Sequence, residues 1–504
     1  MSKEPDTPPQ NGTICQYFHW YYPTDGSLWK KVAAEAPRLA EMGFTAIWLP
    51  PACKGTNGTY SIGYDIYDLW DLGEFNQKNS VRTKYGTKQE YLDAIAAIHA
   101  AGMQVYVDIV LNHKAGGDEI ETIRVRKADP EDRTKWISEP FDIEAYTKFT
   151  FPGRKGKYSD FIWDFRCFTG VDFDNKTKEI AVYSILNDYG EGWEEVIDVE
   201  KGNYDYLMYD DIEFRNRAVV DELKRWGEWY CRTTGFDGVR LDAVKHISPA
   251  FENEWLDHMR HVTGKEFFAV GEYWAPGNLP LLLKYIEATE GRMSLFDASL
   301  HHNFEAAGKQ KRDYDLTTIF NDTLVAAKPN LAVTMVDNHD TQPLQSLEAP
   351  VDPWFKPMAY AIILLRQMGY PCVFYPDLYG ARYKDKGHDG NDYEIYLPEV
   401  ENIWKLMTAR KRFAYGPQRD WLDHPNCVGW TREGDGDHPG SGCAVLISNG
   451  DEGFKTMEVG KAHAGKTFVD WLGKQPGKVT IDEEGKGEFH VGECSVSVWV
   501  TEGS

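Results

Sequence analysis

Short apolar runs alternate with longer stretches of helical period along most of this chain. The runs Ile14 to Phe18, Ala46 to Leu49, Gln104 to Val110, Phe236 to Leu241, Phe267 to Val270, Met293 to Phe296, Leu331 to Val336 and Cys372 to Tyr375 read as buried strands. Between them Leu28 to Met42, Gln89 to Ala101, Arg217 to Thr233, Phe251 to Val262 and Pro357 to Gln367 read as helices, several closed by Gly. Eight such alternations predict an α/β fold, a closed (β/α)8 TIM barrel. Two stretches break the rhythm. Residues 114 to about 213 hold many aromatic, Gly and charged residues with weak periodicity, too long for an ordinary connection, and read as a domain inserted after the third strand. After about 417, the runs Ala444 to Ile447, Thr467 to Trp471 and Ser495 to Val500, separated by turns such as Gly434 to Gly442, predict a C-terminal antiparallel β-sandwich domain. The expected division is 1–113 and 214–416 for the barrel, 114–213 for the insert and 417–504 for the C-terminal domain.

Composition narrows the class of partner. A chain of 504 residues, 42% hydrophobic and 27% charged, is too long for one compact domain. Its formal net charge of -24 opposes nucleic acid or an anionic membrane as partner, and a neutral substrate fits better. No run approaches the roughly 18 apolar residues of a membrane span, and the opening MSKEPDTPPQ is polar, so a soluble, cytoplasmic monomer is expected, or a secreted one if a signal was removed. Cys15, Cys53, Cys167, Cys231, Cys372, Cys427, Cys443 and Cys494 form no CxxC pair and are expected to be reduced and mostly buried.

The chemistry gathers at strand ends, where a barrel of this kind places its active site. In Gly235 to His246, Arg240 and Asp242 lie two apart and so share one face of a strand. A guanidinium beside a carboxylate favours the ionised form that a nucleophile needs. The third strand ends in Asp108 to His113, the fifth in Glu272-Tyr273-Trp274 and the seventh in Asp337 to Asp340. Asp108, inside its strand, reads as structural. His113 and His339 read as substrate contacts. Three carboxylates at one mouth, without a nucleophilic Ser or Cys motif, suit glycosidic-bond cleavage. Asp242 is the candidate nucleophile, Glu272 in its more apolar setting the general acid, and Asp340 the group left to orient the sugar. Tyr64 and the cluster Phe18-His19-Trp20-Tyr21-Tyr22 are candidate stacking surfaces. Trp421, Trp430, Trp471 and Trp499 read mostly as core of the C-terminal domain.

The segments DIVLNH, GVRLDAVKH, GEYW and VDNHD resemble the four ordered signature regions of the α-amylase superfamily of glycoside hydrolases, over about Gln16 to Val500. The flanking Asp71 to Phe75 and Arg82 to Thr87 further resemble liquefying bacterial α-amylases and their intracellular relatives. The resemblance implies a barrel domain A, an inserted domain B and a C-terminal β domain C. It also implies an endo-acting retaining α-1,4-glucan hydrolase acting on starch, glycogen or maltodextrins, with Asp242 as nucleophile, Glu272 as acid/base and Asp340 as transition-state stabiliser. It assigns Tyr64, His113, Arg240, Lys245, His246, Trp274 and His339 to sugar subsites. It assigns Ca²⁺ to Asn112, Asp205, Asp211 and the backbone of His246, oxygen donors suited to that ion. At the family's additional metal cluster this chain has Thr169, Glu194, Glu213 and Arg215, so that cluster is not expected to form. Met208 is expected near the cleft as an oxidation-sensitive position. Two alternatives remain at this point: a transglycosylase with the same carboxylates, and a non-catalytic α-glucan-binding protein, which the intact trio opposes.

Overall fold

A computed structural model describes residues 11–504 apart from residue 266; the reading of the first ten residues lies outside it. Eight parallel strands close into a barrel: β1 (Ile14–Gln16), β2 (Ala46–Leu49), β3 (Gln104–Ile109), β4 (Gly238–Leu241), β5 (Phe268–Gly271), β6 (Ser294–Phe296), β7 (Ala332–Met335) and β8 (Tyr370–Phe374). Each strand pairs with its neighbours in sequence, and β8 closes the ring on β1. Nearly every strand residue is buried on both faces, which is why the strands read as continuous apolar runs. At Gly238 the barrel interior leaves no room for a side chain, since a Cβ there would lie 2.5 Å from the Tyr106 ring.

The outer helices include α1 (Leu28–Met42), α2 (Lys88–Ala100), α3 (Arg217–Thr234), α4 (Pro249–Thr263) and α5 (Leu279–Ala288). Local chemistry sets their ends. Thr87 and Glu90 form a reciprocal capping box at the start of α2. Asn216 caps α3, which Gly235 ends in the left-handed conformation at φ 70°.

Between β3 and β4 the chain builds a six-stranded antiparallel sheet, where the sequence reading found only weak periodicity. The alternation is present but brief: Ile123 and Val125 in Glu119–Lys127, and Ile143, Ala145 and Thr147 in Phe141–Lys148, point inward between charged neighbours. These inward positions are too few per strand to dominate the charged and aromatic residues around them. The C-terminal residues form a six-stranded antiparallel sheet packed on a two-stranded one, Gly453–Glu458 with Lys486–Val491. The wholly buried helix Lys356–Leu365 lies between this sandwich and the barrel. No described helix is long and apolar enough to cross a membrane. All eight cysteines are free, and seven are buried.

One buried group works against the fold. Glu252 on α4 is fully buried, and neither carboxyl oxygen has a hydrogen-bond partner among the described residues. Burial pushes its pKa up to about 8. A raised acid pKa makes the cost of the ionised form grow as pH rises from the unfolded value, 4.5, to about 8. Glu252→Gln is therefore expected to match the wild-type Tm near pH 4.5 and to exceed it near pH 8.5, by a stability difference on the order of a few kcal/mol, measured by thermal unfolding across that range. A difference that does not change with pH contradicts this assignment.

Candidate active site

Register brings the first carboxylate to the cation: Arg240 on β4 lies directly opposite Asp108 on β3. The guanidinium, 1% exposed, then bonds three acids at once. Nη1 donates to Asp108 Oδ1 at 2.9 Å and to Asp242 Oδ1 at 2.5 Å, while Nη2 donates to Glu272 Oε2 at 2.8 Å. Asp108 also accepts from Tyr64 Oη at 2.8 Å and Trp48 Nε1 at 3.0 Å, so it anchors the cation from below. Directly after Asp242, Ala243 takes a left-handed conformation at φ 50°, unusual for a residue with a Cβ. Its N–H donates to Glu272 Oε2 at 3.1 Å, which ties the ends of β4 and β5 together.

Burial and crowding separate the acids electrostatically. Burial pushes Glu272 up to about 7, against the pull of Arg240 and with help from Asp242. Asp340 is raised well above the usual carboxylate range, first by burial and then by Glu272. Asp108 rises to about 6, mainly through burial. Burial also lowers His113, brings His246 down to about 3 and, with Arg240, holds His339 neutral.

These groups floor a cleft of about 1060 Å³. Of the residues singled out in sequence, Tyr64, His113, Asp242, Lys245, His246, Glu272, Trp274, His339 and Asp340 all line it, with Arg240 beneath. Tyr64 lies in a parallel stack, 6.0 Å from the Trp20 ring and 5.0 Å from the His339 ring. Lys245 is engaged already, 2.9 Å from Glu200 and 3.3 Å from Asp198. The aromatic cluster near the start divides: Trp20 lines the cleft, but Phe18, His19 and Tyr22 are core, and Tyr21 stacks on Tyr383 at 3.9 Å. Trp430 and Trp499 are buried in the C-terminal domain, while Trp421 and Trp471 are partly buried. Sequence reasoning missed Tyr60, 74% exposed on one lip, and Tyr204 and Tyr209 on the inserted segment. The aromatic run Tyr204 to Tyr209 was the available signal for the last two. Tyr209 also lines a second cavity of about 320 Å³, walled by Tyr146, Phe173, Asp172 and Asp210.

Asn112, Asp205 and Asp211 lie buried beside the cleft rather than in its lining. Asn112 Oδ1 is buried with no hydrogen-bond partner, and Asn112 Nδ2 is 3.5 Å from Asp211. Burial raises both aspartates, Asp205 to about 7 and Asp211 well above its ordinary range, with neighbouring acids adding to each. Among the described residues no three His, Cys, Asp or Glu side chains are arranged as a metal site. The candidate set is instead two carboxylates and an orphaned amide oxygen, hard donors that a divalent cation would satisfy. Arg215 pairs with Glu213 at 2.6 Å, so a guanidinium already neutralises the adjoining acid.

Residues 28–402 match the family model described as the alpha amylase catalytic domain, and residues 443–500 match the alpha-amylase C-terminal model. The chain is 50% identical over 494 residues to the cytoplasmic alpha-amylase of Escherichia coli K12, covering 98% of this chain and 99% of that protein. It is 52% identical over 493 residues to an alpha-amylase of Geobacillus stearothermophilus, covering 98% of this chain and 87% of that one. Among solved structures, an Anoxybacillus alpha-amylase superposes with a TM-score of 0.64 at 19% identity, covering 98% of both chains, which speaks to the fold.

Met208 lines the cleft and is 38% exposed, open to an oxidant beside the carboxylates. Dilute peroxide is expected to remove most turnover in wild type and little in Met208→Leu. Equal losses in both, followed by reducing-end assay, contradict the placement.

Proposed function

The chain belongs to the α-amylase family of glycoside hydrolases and hydrolyses starch or glycogen, and we propose that it does so as an endo-acting retaining enzyme through Asp242, Glu272 and Asp340. The observation that carries this reading is the Arg240 fork, which holds Asp242 and Glu272 side by side at the base of an open cleft. In the first step Asp242 attacks the anomeric carbon, and Glu272 gives its proton to the departing glycosidic oxygen. In the second, Glu272 takes a proton from water, and that water displaces Asp242 and restores both groups. The pKa of about 7 suits Glu272 to both tasks. Asp340 faces the same cleft and would stabilise the positive charge that builds on the sugar ring. Transglycosylation, the alternative with the same carboxylates, is not favoured.

A cleft of about 1060 Å³ supports internal attack on a polymer, and the parallel rings of Trp20 and Tyr64 offer faces for sugar stacking. The cavity beyond Tyr209, with its aromatic and carboxylate walls, extends that surface as outer subsites. Asn112, Asp205, Asp211 and the backbone of His246 would hold Ca²⁺, whose charge would offset the buried acids and join the inserted sheet to the barrel. We assign the barrel to 1–113 and 214–416, the insert to 114–213 and the C-terminal domain to 417–504. A cytoplasmic monomer is the assembly we propose, in line with the named location of the Escherichia coli relative.

On soluble amylose, wild type is expected to release α-anomeric oligosaccharides early, as followed by polarimetry and reducing ends. Asp242→Asn and Glu272→Gln are each expected to lower kcat by about 10³-fold or more. Total reducing ends that stay constant while chain lengths redistribute contradict hydrolysis. A chelator is expected to lower Tm, with recovery on adding Ca²⁺, and an unchanged Tm contradicts the calcium assignment.

A further inference from the structure

We propose that Gln16 is a positioning residue that fixes His339 as the Nε2–H tautomer, so that the imidazole donates into the cleft. In the free enzyme Asp340 Oδ2 is the polar atom near that N–H, at 3.3 Å, and when glucan is bound a sugar hydroxyl accepts from it, an inference that rests on the reading of the cleft given above. Gln16 sits at the tip of β1, completely buried, on the opposite side of the β8 seam from β7, whose end carries His339. Its amide nitrogen is 3.0 Å from His339 Nδ1. The other ring nitrogen, Nε2, is 3.3 Å from Asp340 Oδ2. An amide NH2 can only donate, so Nδ1 must accept, and a neutral imidazole then carries its single proton on Nε2. Burial and the charge of Arg240 keep that imidazole neutral.

The reverse arrangement is worse at the Gln16 end. With the amide turned over, Gln16 Oε1 would accept from Nδ1–H, and the NH2 would occupy the position where Oε1 now finds no partner. Both amide N–H groups would then be stranded, where now one N–H is paired and only the other N–H and Oε1 are left without a partner. The ring has little freedom to escape this choice. Phe18 lies 5.1 Å from it, Trp48 5.9 Å, and Tyr64 stacks against it at 5.0 Å. Gln16 itself lines no part of the cleft, so it would act only through the ring it orients.

The test is ¹⁵N NMR of histidine-labelled enzyme, with His339→Gln used to assign the signal. Wild type is expected to show Nδ1 unprotonated and Nε2 protonated at neutral pH; a proton on Nδ1 overturns the proposal. Gln16→Glu keeps the shape but, at alkaline pH where its carboxyl is ionised, offers only acceptors, so it is expected there to move the proton to Nδ1 and to lower kcat on amylose roughly 10- to 100-fold. Gln16→Glu with the proton moved and kcat within about twofold of wild type also overturns it, since about twofold lies below the worth of one lost hydrogen bond. A merely structural Gln16 would lower Tm without moving the proton. Wild type inactive on amylose would defeat the functional reading of the cleft while leaving the tautomer measurement valid.

Discussion

A single buried guanidinium organises this active site. Arg240 is closed off from solvent, so its charge is tolerable only because Asp108, Asp242 and Glu272 surround it with three charge-assisted bonds. Lysine could not reproduce the arrangement, because an ammonium lacks the planar fork that reaches acids on three neighbouring strand ends. Removing one partner from such a buried set costs about 3–5 kcal/mol, so the barrel and the catalytic geometry stand or fall together. The cost of this economy is an excess of negative charge. One cation serves Asp108, Asp242, Glu272 and, nearby, Asp340, and that shortage, added to burial, lifts Glu272 and Asp340 out of the ordinary carboxylate range.

The same imbalance recurs a short way along the cleft wall. Glu194, Asp205 and Asp211 are buried together beside Glu213 and are each raised by burial and by acid neighbours, while the one ion pair Arg215 makes among the described residues is with Glu213. A cation between the inserted sheet and the barrel would resolve the remainder, and the unpartnered oxygen of Asn112 marks where it would sit. The inserted sheet thus has two duties. Its connecting loop brings Tyr204 and Tyr209 to the cleft wall, and the insert also buries Asp205 and Asp211 beside the cleft. An acidic, aromatic-lined cleft suits an uncharged polyhydroxylated substrate, in keeping with the net charge of -24.

The barrel was legible because strands buried on both faces leave an unmistakable apolar run; β2 and α1 match the sequence reading end to end, while most other boundaries moved by one or two residues. The candidate carboxylates could be placed together from sequence because Asp242 and Glu272 directly follow β4 and β5, Asp340 lies in the loop after β7, and strand ends converge on one rim. The inserted sheet was not legible, since strands such as Glu119–Lys127 and Phe141–Lys148 bury only two or three side chains each among charged neighbours. Tertiary pairing also escaped the sequence. Nothing local to Phe18, His19 and Tyr22 says that they turn into the core while Trp20 between them faces the cleft. Gln16 was invisible for the same reason, since its meaning lies in a hydrogen bond to a residue 323 positions away.

The central claim is that Arg240 holds Asp242 poised as the nucleophile, and trapping the intermediate tests it most directly. Glu272→Gln enzyme would be incubated with α-maltotriosyl fluoride, which needs no proton to leave, then digested and weighed by mass spectrometry. The account predicts a maltotriosyl adduct on the peptide containing Asp242, absent when Asp242 is also replaced by Asn. An adduct on Asp340, or turnover of the fluoride with inversion and no adduct, would contradict it.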